Sequence, residues 1–184
     1  MINKIREIEF INKISDLYLK KANNKGTVIQ VFYDSVDYTV KNKKITKPAY
    51  VYLPFGYNKN HHHIKYNILY LMHGWSMQAG DFFDCKKGNL VNLLDRMIEN
   101  KDIQPLIVVS ATFDALNQPQ NFMRSVAEIQ VFNQVNSQML EMIQSQTFNE
   151  NNCCYAIRKN GCHNIATCEE YLYHALKIIF KYEK

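Results

Sequence analysis

YNILYLMHGWSMQAGDFF, residues 66–83, is the stretch on which the fold turns. Residues 68–72 are apolar without alternation and run straight into His73-Gly74. An unbroken apolar run closed by a turn signal reads as a strand buried on both faces, the kind found in parallel sheets. Downstream, Leu90, Leu93, Leu94, Met97 and Ile98 share one helix face, and Leu106–Ala111 reads as a second buried strand. Strand, helix and strand in that order predict a parallel βαβ unit. Upstream, residues 28–33 and 49–53 are β-rich, are separated by the lysine-rich residues 41–47 and close on Pro54 and Gly56, which predicts an antiparallel pair.

Working outward, Ile5, Ile8, Ile11, Ile14 and Leu17 recur at close to helical spacing, so residues 4–21 are expected to form an amphipathic helix packed on the domain. This sets an N-terminal extension, residues 1–25, apart from a main domain over residues 26–184. Ser125 with Glu128, and Thr167 with Glu170, have the spacing of capping boxes. The second opens a last helix that turns Leu172, Leu176, Ile179 and Phe180 inward, behind a strand at residues 153–158. The expected class is α/β: a mostly parallel sheet with helices on both faces and antiparallel N-terminal strands.

Composition narrows the function. The 184 residues carry 22 basic and 17 acidic side chains, a formal charge of +5 that is spread along the chain, so nucleic-acid binding is not expected. No apolar run approaches the roughly 18 residues of a membrane-spanning helix. The first residues are too charged for a signal peptide, so none is expected. Five cysteines, Cys85, Cys153, Cys154, Cys162 and Cys168, form no C-x-x-C pair, although Cys162 and Cys168 are candidates for a bridge. His61-His62-His63 has the residue type of a metal tract but no carboxylate or thiol nearby in sequence, and a solvated loop is expected instead. No metal is therefore expected, and with no glycine-rich phosphate loop of Walker or dinucleotide type present, no cofactor is expected either.

The chemistry concentrates at two strand ends. His73-Gly74-Trp75-Ser76 follows a buried strand, at the carboxyl edge where open α/β sheets bind ligands. Two readings compete: a loop whose backbone N–H near Trp75 stabilises an oxyanion, or a degraded G-x-S-x-G turn exposing Ser76, with Gln78 where glycine belongs. His163 follows the last predicted strand, where a histidine can act as general base for a hydroxyl. Ser76 with His163 would be a substitute nucleophile and base. Asp81, Asp84, Asp95 and Asp114 are candidate carboxylates that no sequence partner distinguishes.

Four blocks, KPAYVYLPFGY (47–57), residues 66–83, PLIVVSATFDALNQPQN (105–121) and NGCHNIATCEEYLYHAL (160–176), resemble the feruloyl esterase and acetyl-xylan esterase group, carbohydrate esterase family 1 of the α/β-hydrolases. The resemblance implies an oxyanion loop at Gly74, Trp75 and Ser76, a catalytic base at His163, and esters of plant cell-wall xylan as substrates. It also implies a serine on a G-x-S-x-G turn and an acid between the second parallel strand and the histidine. No G-x-S-x-G occurs in the chain, and only residues 112–152 stand in that interval. An internal deletion joined near residues 133–136 is inferred, with the central strands, the nucleophile and the acid lost. The expectation is a crippled serine esterase; the alternative is a non-catalytic carbohydrate-binding or interaction protein derived from one.

Overall fold

The computed structural model describes residues 6–9, 13–40, 43–61, 63–74, 77–114, 154–157 and 164–182. Six strands and two α-helices lie in the described residues: β1 (Arg6–Glu9), β2 (Thr27–Asp37), β3 (Lys43–Leu53), β4 (Asn67–Met72), α1 (Leu90–Glu99), β5 (Leu106–Ala111), β6 (Cys154–Ile157) and α2 (Ile165–Ile179). The main sheet has the order β2-β3-β5-β4. β2 and β3 form the expected hairpin, in register from Thr27 opposite Leu53 to Asp37 opposite Lys43. It reaches through the lysine-rich residues, where Lys43 and Lys44 stay exposed while Lys47 is buried.

β4 and β5 are parallel over all six residues, Asn67 opposite Leu106 and Met72 opposite Ala111. β3 meets β5 antiparallel, Tyr52 opposite Val108. The main sheet is therefore mixed rather than mostly parallel, since two of its three pairings are antiparallel. β6, expected to extend the parallel sheet, instead pairs parallel with β1 in a separate two-stranded sheet.

α1 forms where the apolar spacing places it. Leu90, Leu93, Leu94 and Met97 are fully buried and face Tyr52, Leu106 and Val108 of the sheet in one core. Each such side chain contributes about 1.5–3 kcal/mol by leaving water. The helix stops at a left-handed residue, Lys101 at φ 59°, whose N–H donates to the Ile98 carbonyl while Asp102 N–H reaches the Met97 carbonyl. That is a Schellman ending without its usual glycine.

α2 packs Leu176 into the same core, with Leu172, Tyr173 and Phe180 against it. Among the described residues, then, helices cover one sheet face, and the expectation of two covered faces is met on that side alone. The opposite face shows Ile29, Ile68, Tyr70 and Met72, all exposed. The cap of α2 also differs from expectation. Asn164, not Thr167, is the N-cap, and its side chain accepts from Thr167 N–H at 2.9 Å. The helix thus starts before the Thr167-Glu170 pair, and Ile179, expected to face inward, is 66% exposed at its end.

The helix expected over residues 4–21 is absent from the described part of that segment, which holds β1 and a single 3₁₀ turn, Asp16–Leu19. A strict three-residue spacing drifts about 60° per step around a 3.6-residue helix, so the apolar row winds off any one face. The β-branched isoleucines also favour a strand. The segment still docks on the domain. Ile14 and Ala22 are buried, and the polar side of α1 holds the chain through Asn92 to the Leu19 carbonyl, Arg96 to the Lys20 and Lys21 carbonyls, and Glu99, which accepts from Asn23 and Asn24 N–H. No helix among the described residues is long and apolar enough to cross a membrane.

Candidate functional site

The parallel pair brings the ends of β4 and β5 side by side, so the residues after Met72 and after Ala111 meet at one edge. His73 is buried there, at 5% exposure. Its Nδ1 lies 2.9 Å from the Gly74 carbonyl and its Nε2 lies 2.8 Å from the Thr112 hydroxyl. A carbonyl only accepts, so in the neutral ring Nδ1 carries the proton and Nε2 accepts from Thr112. The Thr112 oxygen in turn accepts from Asp114 N–H at 3.1 Å. This chain ties the loop after β4 to the loop after β5 and consumes both ring nitrogens. His73 therefore holds the loop rather than moving protons.

Gly74 accepts a second bond, from Met77 N–H at 3.2 Å, which closes a four-residue turn. A Cβ at Gly74 would meet nothing within 4 Å, so the glycine leaves open space on that side of the loop. Phe113 packs edge-on against the His73 ring, with centroids 5.5 Å apart. Ser110 Oγ and Asp114 Oδ1 are buried without a hydrogen-bond partner among the described residues. Of the expected site residues, Gly74 lies at this edge; Trp75, Ser76 and His163 lie outside the described residues. The sequence motif includes His73 but not its partner Thr112, because the bond that joins them spans 39 positions.

The other candidate carboxylates are structural. Asp81 pairs with Lys87 at 2.7 Å and accepts from Gln78 N–H at 3.1 Å, fastening the segment between β4 and α1. Asp84 closes a local turn by accepting from Lys86 N–H at 3.0 Å. Asp95, buried on α1, accepts from the Tyr52 hydroxyl at 2.7 Å and from Gly26 N–H at 2.8 Å. Burial pushes the Asp95 carboxyl above its ordinary range, against the downward pull of those two donors. The same burial, reinforced by the Asp95 bond, pushes the Tyr52 hydroxyl up. Glu169 on α2, raised likewise by burial, accepts from the backbone N–H of Asn89 at the start of α1 and so joins the two helices.

Among the described residues no group of three His, Cys, Asp or Glu side chains is placed to hold a metal. His61 and His63 are exposed and stack on each other with ring centroids 5.6 Å apart, as a solvated loop does; His62 lies outside the described residues. Cys85 and Cys168 are free and exposed, while Cys162, the partner expected for Cys168, lies outside them.

A mixed sheet covered on one face by two helices, with a buried His-Gly turn at the carboxyl edge of its parallel pair, defines an α/β protein with its candidate site at that turn. Comparison with known proteins gives the relatives of this arrangement. No family model matches the chain. Endo-1,4-beta-xylanase Y of Acetivibrio thermocellus is 38% identical over 108 residues, which are 58% of this chain and 9% of that protein. An endo-1,4-beta-xylanase/feruloyl esterase of Xylanibacter ruminicola is 36% identical over 107 residues, 56% of this chain and 14% of that protein. The match thus spans under a fifth of either curated relative. Among solved structures, a point mutant of the feruloyl esterase module from Clostridium thermocellum complexed with sinapinate is 34% identical with a TM-score of 0.49, covering 65% of this chain and 38% of that one. The resemblance to the feruloyl esterase group that the four sequence blocks carry is borne out by the xylanase/feruloyl esterase of Xylanibacter ruminicola.

Proposed function

We propose that the chain derives from an ester hydrolase acting on feruloyl or acetyl esters of plant cell-wall xylan, and that it does not itself turn such esters over. One observation carries this reading: blocks like the oxyanion loop and the N-G-x-H base are present, yet no G-x-S-x-G lies between them. In an intact esterase of this kind the serine would attack the ester carbonyl, a histidine at the position of His163 would take and return its proton, and the loop of Gly74, Trp75 and Ser76 would meet the oxyanion. Losing the serine also removes the N–H of the residue after it, the second oxyanion donor. Loss of a triad nucleophile costs a factor on the order of a million in kcat.

The sheet agrees with a shortened hydrolase. β4 has a neighbour on one side only among the described residues, as a sheet missing the next strand would. The His73–Thr112 chain would still fix the loop of an oxyanion hole that has nothing to stabilise.

The test is hydrolysis of methyl ferulate and nitrophenyl acetate by the purified chain beside its His163→Ala variant. Equal, background-level product release from both is expected. Robust turnover that His163→Ala abolishes overturns the reading.

A further inference from the structure

At the opposite end of the parallel pair, six residues and so roughly 20 Å from the His73 edge, lies a cleft of ≈ 580 Å³. That volume is within the range of small-ligand sites, about 300–1,000 Å³. Its walls are the segment leading into β4, the residues just before β5 and the stretch that follows α2. These walls are tied together. Gln104 N–H donates to the Phe180 carbonyl at 2.8 Å, Ile103 and Lys181 form an antiparallel bridge, and the Tyr66 ring rests against Tyr57 with centroids 5.4 Å apart.

The lining has a definite chemistry. Tyr66, Phe180 and Tyr182 supply aromatic surface. Lys65 and Lys181 supply positive charge, and the lining holds no Asp or Glu. The side chains of these lysines, and the amides of Asn67 and Gln104, make no hydrogen bond or ion pair with any other described residue. Four polar side chains without partners among the described residues thus line one aromatic-walled space. Cations without a local counter-charge select an anion, flat rings select a ring to pack on, and free amides serve hydroxyl or carbonyl groups at its edge.

From this we propose that the cleft is a binding site for a small carboxylate built on a six-membered ring, with its charge at Lys65 and Lys181, its ring against the tyrosines, and its remaining polar groups at Asn67 and Gln104. An aromatic acid and an acidic sugar share that chemistry. The site is separate from the His73 edge, so it stands or falls independently of ester turnover.

The test is calorimetric titration of the full chain with benzoate and with glucuronate, beside their neutral counterparts benzamide and glucose and beside inorganic phosphate. The expected result is that at least one acid binds, at least tenfold more tightly than its neutral counterpart and than phosphate. Benzoate alone identifies an aromatic acid, and glucuronate alone an acidic sugar. Lys65→Glu and Lys181→Glu, both at exposed positions, should each weaken that binding at least tenfold with unchanged thermal melting. Binding of neither acid, equal binding of the neutral compounds or of phosphate, or affinity indifferent to both substitutions overturns the proposal.

Discussion

Tyr52→Phe removes a single oxygen from the centre of the molecule. The ring stays buried, with 0% exposure, so the apolar contacts with α1 are kept. What is lost is the hydroxyl that donates to Asp95 Oδ1 at 2.7 Å. A buried hydrogen bond to a charged group contributes about 1.5–3 kcal/mol. Asp95 keeps its bond from Gly26 N–H, so it is not orphaned, and a loss of about 2 kcal/mol at pH 7 follows. Urea unfolding should show an unchanged slope, because the same surface is exposed, and a midpoint lower by about 1 M for a slope of about 2 kcal/mol per M.

The pH dependence sharpens the test. Burial already places the Asp95 carboxyl above its ordinary range, and the Tyr52 hydroxyl is one of the groups holding it down. Deleting that hydroxyl raises it further. A carboxyl raised by folding binds more protons in the folded state than in the unfolded one, so its contribution declines as pH climbs from the ordinary carboxylate range through the raised value. The variant has the wider window. Its deficit should therefore be smaller at pH 4 than at pH 7. Equal deficits at the two pH values, or a midpoint shift under about 0.2 M, would refute the reasoning.

Three further outcomes are expected. Gly26→Ala would place a Cβ 2.4 Å from the Tyr52 ring and 2.6 Å from the Leu53 carbonyl oxygen, neither free to retreat, and should cost about 1–3 kcal/mol or more in thermal unfolding; an unchanged melting temperature would contradict it. Lys101→Gly relieves a left-handed backbone at the end of α1 and should stabilise by about 1 kcal/mol, read as a higher urea midpoint; a lower midpoint counts against the Schellman ending. Glu169→Gln keeps an acceptor for Asn89 but removes a carboxyl that burial pushes up, so the decline of stability with rising pH, starting in the ordinary carboxylate range, should be shallower than in the parent chain. Identical pH profiles would show that Glu169 ionises in the fold as it does unfolded.

The parts of this fold legible in the sequence are those written in local pattern. β5 and α1 announce themselves by an unbroken apolar run and by the spacing Leu90, Leu93, Leu94, Met97, because burial imposes that pattern directly, whereas β4 is legible from the same kind of run although its Ile68, Tyr70 and Met72 are exposed. The N-terminal segment misleads because isoleucine at every third position imitates a helix while its residues favour extended chain. The α2 cap is misjudged because Asn164 and Thr167 both belong to capping residue types, and only the side-chain bond from Asn164 decides between them. At the site, the His-Gly turn after β4 was readable from its place on a strand end. The partnership of His73 with Thr112 was not, since nothing local marks a hydrogen bond between two loops. Asp95 is a parallel case: its partners Tyr52 and Gly26 stand 43 and 69 positions away.

The sheet order has a consequence for synthesis. β5 inserts between the β2–β3 hairpin and β4, so the strands cannot assemble in the sequence in which they leave the ribosome. At about 5–20 residues per second, the interval between the emergence of Met72 and that of Ala111 is on the order of several seconds. Through that interval the uncharged NILYLM strand waits for the partner that will align it. The nascent chain is therefore most vulnerable to misassociation after β4 and before β5, and a chaperone that shields residues 67–72 during that window would raise yield without touching the finished fold.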